Sequence, residues 1–158
     1  MKRRYAVALM VVLGIACAER SEASIVPRHV TPGTLDRNTS ELFQESMYWD
    51  DHFWDDGVKL VKSPYTVLDG VRTGKHMVRE SSWYALGLLL RDAPGDRRRA
   101  ADILDAVLKE QYMKPGVRWY GTYKRTPEEP DPTADAVIWR SYDPNWRVFI
   151  GTTFAMIL

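Results

Sequence analysis

The chain has 158 residues, of which 45% are hydrophobic and 27% are charged. This composition provides for one modest domain and excludes long disordered tails. The formal net charge is +1, from 22 basic and 21 acidic residues. Because this balance gives neither a basic field for nucleic acid nor a polybasic membrane patch, we expect no nucleic-acid partner.

Residues 1–18 have the parts of a secretion signal peptide. Three cations at residues 2–4 precede an apolar run, and Ala16-Cys17-Ala18 has the small-x-small form of a cleavage site. The alternatives are a second cleavage site at Ser21-Glu22-Ala23 and a membrane anchor, although the run is shorter than the ~20 residues that span a bilayer. We predict a secreted or periplasmic protein with no membrane span in its mature form. That form lacks Cys17, the only cysteine, and therefore has no disulfides.

The rest of the chain divides into an arm and one helical domain. Residues 19–39 are polar and contain Pro27, Pro32 and Gly33, which predicts an extended arm. Residues 40–158 form the domain, beginning with a helix from near Ser40 to Gly57. The sequence pattern over residues 58–79 predicts a loop with a short strand or turn.

Two further helices are predicted to form a hairpin. The first begins with Ser81 or Ser82 as its cap and is apolar on nearly all sides through Leu90, which is typical of a buried helix. A five-residue turn ends at Asp96, which is placed to cap the next helix. That helix is amphipathic as far as Tyr112, so the pair forms an αα-hairpin of an inner and an outer helix.

A long connection separates the hairpin from the last helix. Residues 113–142 hold four prolines and the aromatic run Trp119-Tyr120-Gly121-Thr122-Tyr123, and a loop of this length is more often functional than idle. Asp143 and Pro144 then suit the cap and first position of an apolar helix that reaches Leu158.

Several motifs resemble a group of secreted proteins in the six-hairpin glycosidase-like superfamily. They are Arg79-Glu80-Ser81-Ser82-Trp83-Tyr84-Ala85-Leu86-Gly87-Leu88-Leu89-Leu90, Gly95-Asp96 with Ala100 and Ile103-Leu104, Trp119-Tyr120-Gly121-Thr122, Pro127-Glu128-Glu129-Pro130 and Asp143-Pro144-Asn145-Trp146-Arg147. The resemblance covers about residues 76–158. It implies a ring of helical hairpins whose loops bind substrate in a funnel at one end of the inner helices.

The fold expected from this resemblance is all-α, with helical hairpins of an incomplete α/α toroid and long aromatic loops. The chain supplies one hairpin, a helix before it and one inner helix after it, which cannot close a ring. We therefore expect residues 40–158 to be the truncated N-terminal part of a toroid, with most of the active site in residues beyond Leu158. On that expectation this chain alone is inactive.

The resemblance implies a secreted carbohydrate-active enzyme, and we predict a glycoside hydrolase whose substrate is a polysaccharide or oligosaccharide. Glycoside hydrolysis needs two carboxyl groups about 5–9 Å apart, and the catalytic candidates are Asp143, Glu80 and Tyr120. Asp143 has the alternative role of a helix cap, and Glu80 that of an ion-pair partner of Arg79. The candidates for substrate binding are Trp119, Tyr123, Asn145, Trp146, Arg147 and His76. The alternative for the aromatic residues is that they fill the top of the core.

Other functions fit the same residues. A polysaccharide lyase needs a base such as Tyr120 and groups such as Asn145, Arg147 and His76 that neutralise a uronate carboxylate. A non-catalytic domain that binds a glycan or a protein partner through residues 119–123 is the alternative from another class. The acidic run at residues 50–56 reads as solvated surface rather than a metal site, and the sequence points to no cofactor.

Overall fold

The computed structural model describes residues 31–63 and 74–158. The predicted signal peptide, most of the predicted arm and the middle of the loop predicted over 58–79 lie outside these ranges. The helices are α1 (Arg37–His52), α2 (Val78–Arg91), α3 (Asp96–Lys109) and α4 (Asn145–Ile157). The strands β1 (Trp54–Asp55), β2 (Leu60–Lys62) and β3 (His76–Met77) form an antiparallel sheet in the order β1-β2-β3.

The predicted all-α toroid is therefore wrong, because the described part of the domain combines four α-helices with a small sheet. The helix expected to reach Gly57 ends at His52, and the chain then turns into a hairpin. In that turn the Asp55 side chain accepts hydrogen bonds from the amides of Gly57 and Val58, and Lys59 takes a left-handed conformation with φ 63°. Strands of two or three residues are too short to show an alternating pattern in the sequence.

Helix α1 begins three residues before the predicted start at Ser40. Asp36 caps it by accepting hydrogen bonds from the amides of Asn38 and Thr39 at 3.0 and 3.1 Å. Among its residues, Met47 is buried against α2.

Helix α2 begins at Val78, so neither Ser81 nor Ser82 is its cap. Both hydroxyls lie inside the helix, where Ser81 donates to the carbonyl of Met77 and Ser82 donates to that of Arg79. Ser81 Oγ also accepts a hydrogen bond of 2.8 Å from the amide of Val61. Ser81 thereby attaches the inner helix to strand β2.

Helix α2 lies at the centre of the core, where it packs against α1, α3, α4 and β2. It forms the predicted hairpin with α3, whose buried side chains recur at helical spacing. The fully buried apolar residues of this core are Leu60, Val61, Val78, Tyr84, Ala85, Leu88, Ala100, Ile103, Val107 and Ile150. Helix α4 was predicted within two residues of its observed bounds, and residues 113–142 contain no helix or strand. In the described ranges, none of the helices has the length and apolar content needed to cross a bilayer.

Asp96 does not cap α3 as predicted; Gly95 precedes the helix with φ 90°. The Asp96 carboxylate instead accepts hydrogen bonds from the amide of Ala93 and from Arg91. Arg91 also pairs with Asp51 of α1, which receives a hydrogen bond from Tyr84. This buried to half-buried network joins α1, α2 and the turn before α3.

The network predicts a loss of stability in acid. Hydrogen bonding from Arg91 lowers the pKa of Asp96, although burial acts in the opposite direction. A carboxylate whose pKa is lower in the folded state stabilises the fold above its unfolded pKa, and this stabilisation disappears as the pH falls through the folded pKa. We expect the free energy of unfolding, measured with urea, to decline below about pH 4. Asp96→Asn should lower the free energy of unfolding by about 2 kcal/mol at pH 7 and weaken its dependence on pH in acid. The same dependence on pH in the variant and the wild type would contradict the role of Asp96.

Candidate functional site at the entrance of helix α2

Arg79, in the first turn of α2, lies between two tryptophan rings. Its guanidinium carbon is 4.3 Å from the ring centroid of Trp146 and 4.7 Å from that of Trp83. Trp146 belongs to the first turn of α4, so these contacts hold the first turns of α2 and α4 side by side. Trp146 is buried, whereas Trp83 remains 46% exposed. We call the group Asp50, Arg79, Glu80, Trp83 and Trp146 the α2 entrance.

Glu80 is fixed by its neighbour in this cluster. Its Oε1 accepts hydrogen bonds from Nε of Arg79 at 3.1 Å and from Nη2. The Glu80 side chain is 25% exposed. Glu80 therefore presents a charged carboxylate that is held in place and still reachable from solvent.

Asp50 approaches the entrance from helix α1. Residues 43, 47 and 50 share one face of that helix, and Phe43 and Met47 lie against Gly87 of α2. A Cβ at position 87 would lie 2.5 Å from Sδ of Met47, so the two helices meet closely at this glycine. Asp50 lies almost one turn further along α1, close enough to Glu80 for the charge of Glu80 to affect its pKa.

The environment of Asp50 differs from that of Glu80. Burial, followed by the nearby charges of Asp51 and Glu80, raises the pKa of Asp50 to about 7. No hydrogen bond from the described residues offsets this effect. The entrance thus brings together one carboxyl group that holds its proton near neutral pH and one carboxylate bound to a guanidinium.

Asp143 acts as a helix cap, the alternative that the sequence left open. Its Oδ1 accepts a hydrogen bond of 2.8 Å from the amide of Asn145, and Pro144 already has helical dihedral angles. Its carbonyl accepts a hydrogen bond of 2.7 Å from Oγ1 of Thr122. Asp143 thereby attaches the aromatic loop to the start of α4.

The other predicted site residues of the loop and α4 separate into exposed and buried sets. Tyr120 is 45% exposed, and Asn145 and Arg147 are exposed in the first turn of α4. A Cβ at Gly121 would lie 4.0 Å from Nε of Arg147, which places Arg147 beside the loop that carries Tyr120. Helix α4 therefore brings Trp146, Asn145 and Arg147 to the same end of the domain as the α2 entrance.

Trp119 and Tyr123 are buried and offer no open ring face. Trp119 is 8% exposed and packs with Tyr112 and Tyr142, its ring centroid lying 5.8 Å from that of Tyr142. Tyr123 is 5% exposed in the main core, and burial raises its pKa. Both residues follow the core-filling alternative.

His76 lies in a separate cluster, between two carboxylates. Its Nδ1 is 2.7 Å from Oε1 of Glu128, and its Nε2 is 3.1 Å from Oδ2 of Asp55. Hydrogen bonding with His76 lowers the pKa of Asp55 despite the opposing effect of burial. Because both ring nitrogens have protein partners, His76 connects the β1–β2 hairpin to the proline-rich loop.

Asp50, Arg79 and Trp83 were not among the site residues predicted from the sequence. The acidic run at residues 50–56 favoured a solvated surface, but the spacing of Asp50 from Phe43 and Met47 was a signal that it shares their buried face. Within residues 31–63 and 74–158, no group of three or more acidic, histidine or cysteine side chains is arranged to hold a metal ion.

Comparison with known proteins places the chain in a family. The model of the family described as Domain of unknown function (DUF8769) matches residues 40–158, so the chain belongs to that family. Neither the curated proteins nor the solved structures include a match to the chain. The match begins within helix α1 and covers every element of the domain from there to α4.

Proposed function

We propose that this domain belongs to a secreted carbohydrate-active enzyme that hydrolyses glycosidic bonds at the α2 entrance. The observation that carries the proposal is the pair of carboxyl groups Asp50 and Glu80, which are close enough for the charge of Glu80 to raise the pKa of Asp50, together with the exposed ring of Trp83, which follows Glu80 in α2. Hydrolysis of a glycosidic bond requires two carboxyl groups with different roles. The predicted secretion signal supports an exported protein.

The two carboxyl groups suit an acid and a base. Asp50, whose pKa is raised to about 7 by burial and acidic neighbours, retains a proton that it gives to the departing glycosidic oxygen. Glu80 either attacks the anomeric carbon or takes a proton from the water that attacks it. In sum the C–O bond breaks, and one water supplies a hydroxyl to the sugar and a proton to the leaving group.

The surrounding residues suit substrate binding. The exposed indole of Trp83 offers a flat apolar surface that matches the C–H face of a sugar ring. Arg79 restrains both Glu80 and the Trp83 ring, so the base and the binding surface keep a fixed relation. The resemblance to the six-hairpin glycosidase-like superfamily supports this choice of chemistry, although the described domain is not an all-helical toroid.

A lyase is the second candidate, because the exposed Tyr120 lies on a loop beside Arg147. In that reaction Tyr120 removes the proton next to a uronate carboxylate while Arg147 and Asn145 stabilise the carboxylate. A C=C bond then forms as the glycosidic C–O bond breaks, and the departing oxygen takes up a proton. The products of the two reactions differ. A lyase forms an unsaturated sugar that absorbs ultraviolet light, whereas a hydrolase forms a saturated one.

The experiment uses the full polypeptide that the gene encodes, tested against a panel of neutral and acidic polysaccharides. We expect release of reducing ends without a rise in ultraviolet absorbance. Asp50→Asn should lower this release roughly a hundredfold or more, and Asp105→Asn, an exposed change on α3, should leave it unchanged. A rise in absorbance that depends on Tyr120 would instead support the lyase. Binding without turnover of any polysaccharide would favour a non-catalytic domain and overturn the proposal.

A further inference from the structure

A second candidate site lies in a groove of about 760 Å³ formed by the proline-rich loop and residues 138–141. None of the five α2 entrance residues lines it. Its lining includes Lys75, Arg125, Glu129, Trp139 and Arg140.

Trp139 is the most unusual residue of this groove. Its side chain is 57% exposed, and its backbone has φ 70°, a left-handed conformation that costs a bulky residue about 1–3 kcal/mol. Two hydrogen bonds fix the turn around Trp139. Its amide donates to the carbonyl of Tyr142 at 2.8 Å, and the amide of Ser141 donates to the carbonyl of Val137. The fold thus maintains a large apolar ring in an exposed and strained position.

The groove also has an excess of positive charge. The acid Glu129 is neutralised by Arg125, whose Nε donates to it at 2.7 Å, and both side chains are largely buried. Asp131, a further acid at the rim, pairs with Lys124 at 3.0 Å. Among the described residues, neither Lys75 nor Arg140 has an acidic partner. Within residues 31–63 and 74–158, these two cations therefore have no competing acid against a negatively charged group in the groove.

We propose that this groove binds an acidic sugar, such as a uronate unit of a polysaccharide, with Trp139 against the ring and Lys75 and Arg140 at the carboxylate. The inference rests on the proposed function for the choice of a sugar, and it adds the charge of the substrate and a second contact region. Two cations that have no acidic partner among the described residues, on a chain of net charge +1, suit a short acidic ligand better than a nucleic-acid backbone, which needs an extended basic surface.

The test measures binding of trigalacturonate and of its fully methyl-esterified form to the full polypeptide by calorimetry. We expect the acid form to bind roughly tenfold more tightly, with a preference that weakens as salt is added. Lys75→Gln combined with Arg140→Gln should remove the preference for the acid form. Trp139→Ala should weaken binding of both forms roughly tenfold.

Matched controls keep the result specific. Arg98→Gln combined with Lys114→Gln removes the same charge from exposed positions elsewhere and should leave the preference intact. Equal binding of the two probes, an unchanged preference in the Lys75/Arg140 variant, or tighter binding of a single-stranded oligonucleotide would overturn the inference. If the groove binds the acid form but no glycan is hydrolysed, the proposed function is wrong and the groove proposal stands. If glycans are hydrolysed but Trp139→Ala binds both probes as the wild type does, the groove proposal is wrong and the proposed function stands.

Discussion

Replacing Glu80 by glutamine is expected to lower kcat/KM for the hydrolysed glycan roughly a thousandfold in the full polypeptide. The amide keeps the size of the side chain and can still accept a hydrogen bond from Arg79. It has no negative charge, so it cannot attack the anomeric carbon or take a proton from water. The rate of reducing-end release at saturating and limiting substrate measures the effect.

The matched control for this prediction is Glu45→Gln, which removes an exposed carboxylate from α1. We expect the control to change kcat/KM by less than about threefold, because surface substitutions away from the site have small effects. Thermal unfolding of both variants shows whether they remain folded. Near-normal turnover by folded Glu80→Gln protein would exclude Glu80 as the base or nucleophile.

Replacing Leu88 by alanine is expected to lower the free energy of unfolding by about 3 kcal/mol. Leu88 is 0% exposed in α2, the helix that packs against α1, α3, α4 and β2. The substitution removes buried methyl groups and leaves a cavity that so many neighbouring elements cannot all move to fill. Urea unfolding of the domain measures the change.

Leu108→Ala makes the same chemical change on α3, where the side chain is 48% exposed. We expect a loss below about 1 kcal/mol, because most of this side chain already contacts water. Similar losses for the two variants would show that α2 is not the central helix of the core.

The helices could be predicted from the sequence because their apolar residues repeat over several turns. Helix α3 shows this best, since its buried residues Ala100, Ile103 and Val107 follow the expected spacing. The sheet could not be predicted in the same way. Its strands have two or three residues, and its first turn depends on the Asp55 side chain and on the left-handed backbone of Lys59.

The site was predictable only where a residue lies at the start of an inner helix. Glu80 and Trp146 satisfy that condition, and the structure joins them through Arg79. The role of Asp50 depends on tertiary packing, because it is the close approach of α1 to α2 at Gly87 that brings this face of α1 against α2. The exposure of the aromatic loop residues also depends on tertiary packing, because Trp119 and Tyr120 are adjacent in sequence and only Tyr120 is exposed.

The pH dependence of kcat/KM for glycan hydrolysis tests the central claim most directly. Burial and the charges of Asp51 and Glu80 raise the pKa of Asp50 to about 7, so the proton donor is lost as the pH rises through that value. We expect a rate that falls above about pH 7 in the wild type, with this fall absent from the residual activity of Asp50→Asn. A rate that stays constant or rises between about pH 7 and pH 9 would contradict Asp50 as the acid and, with it, the proposed site.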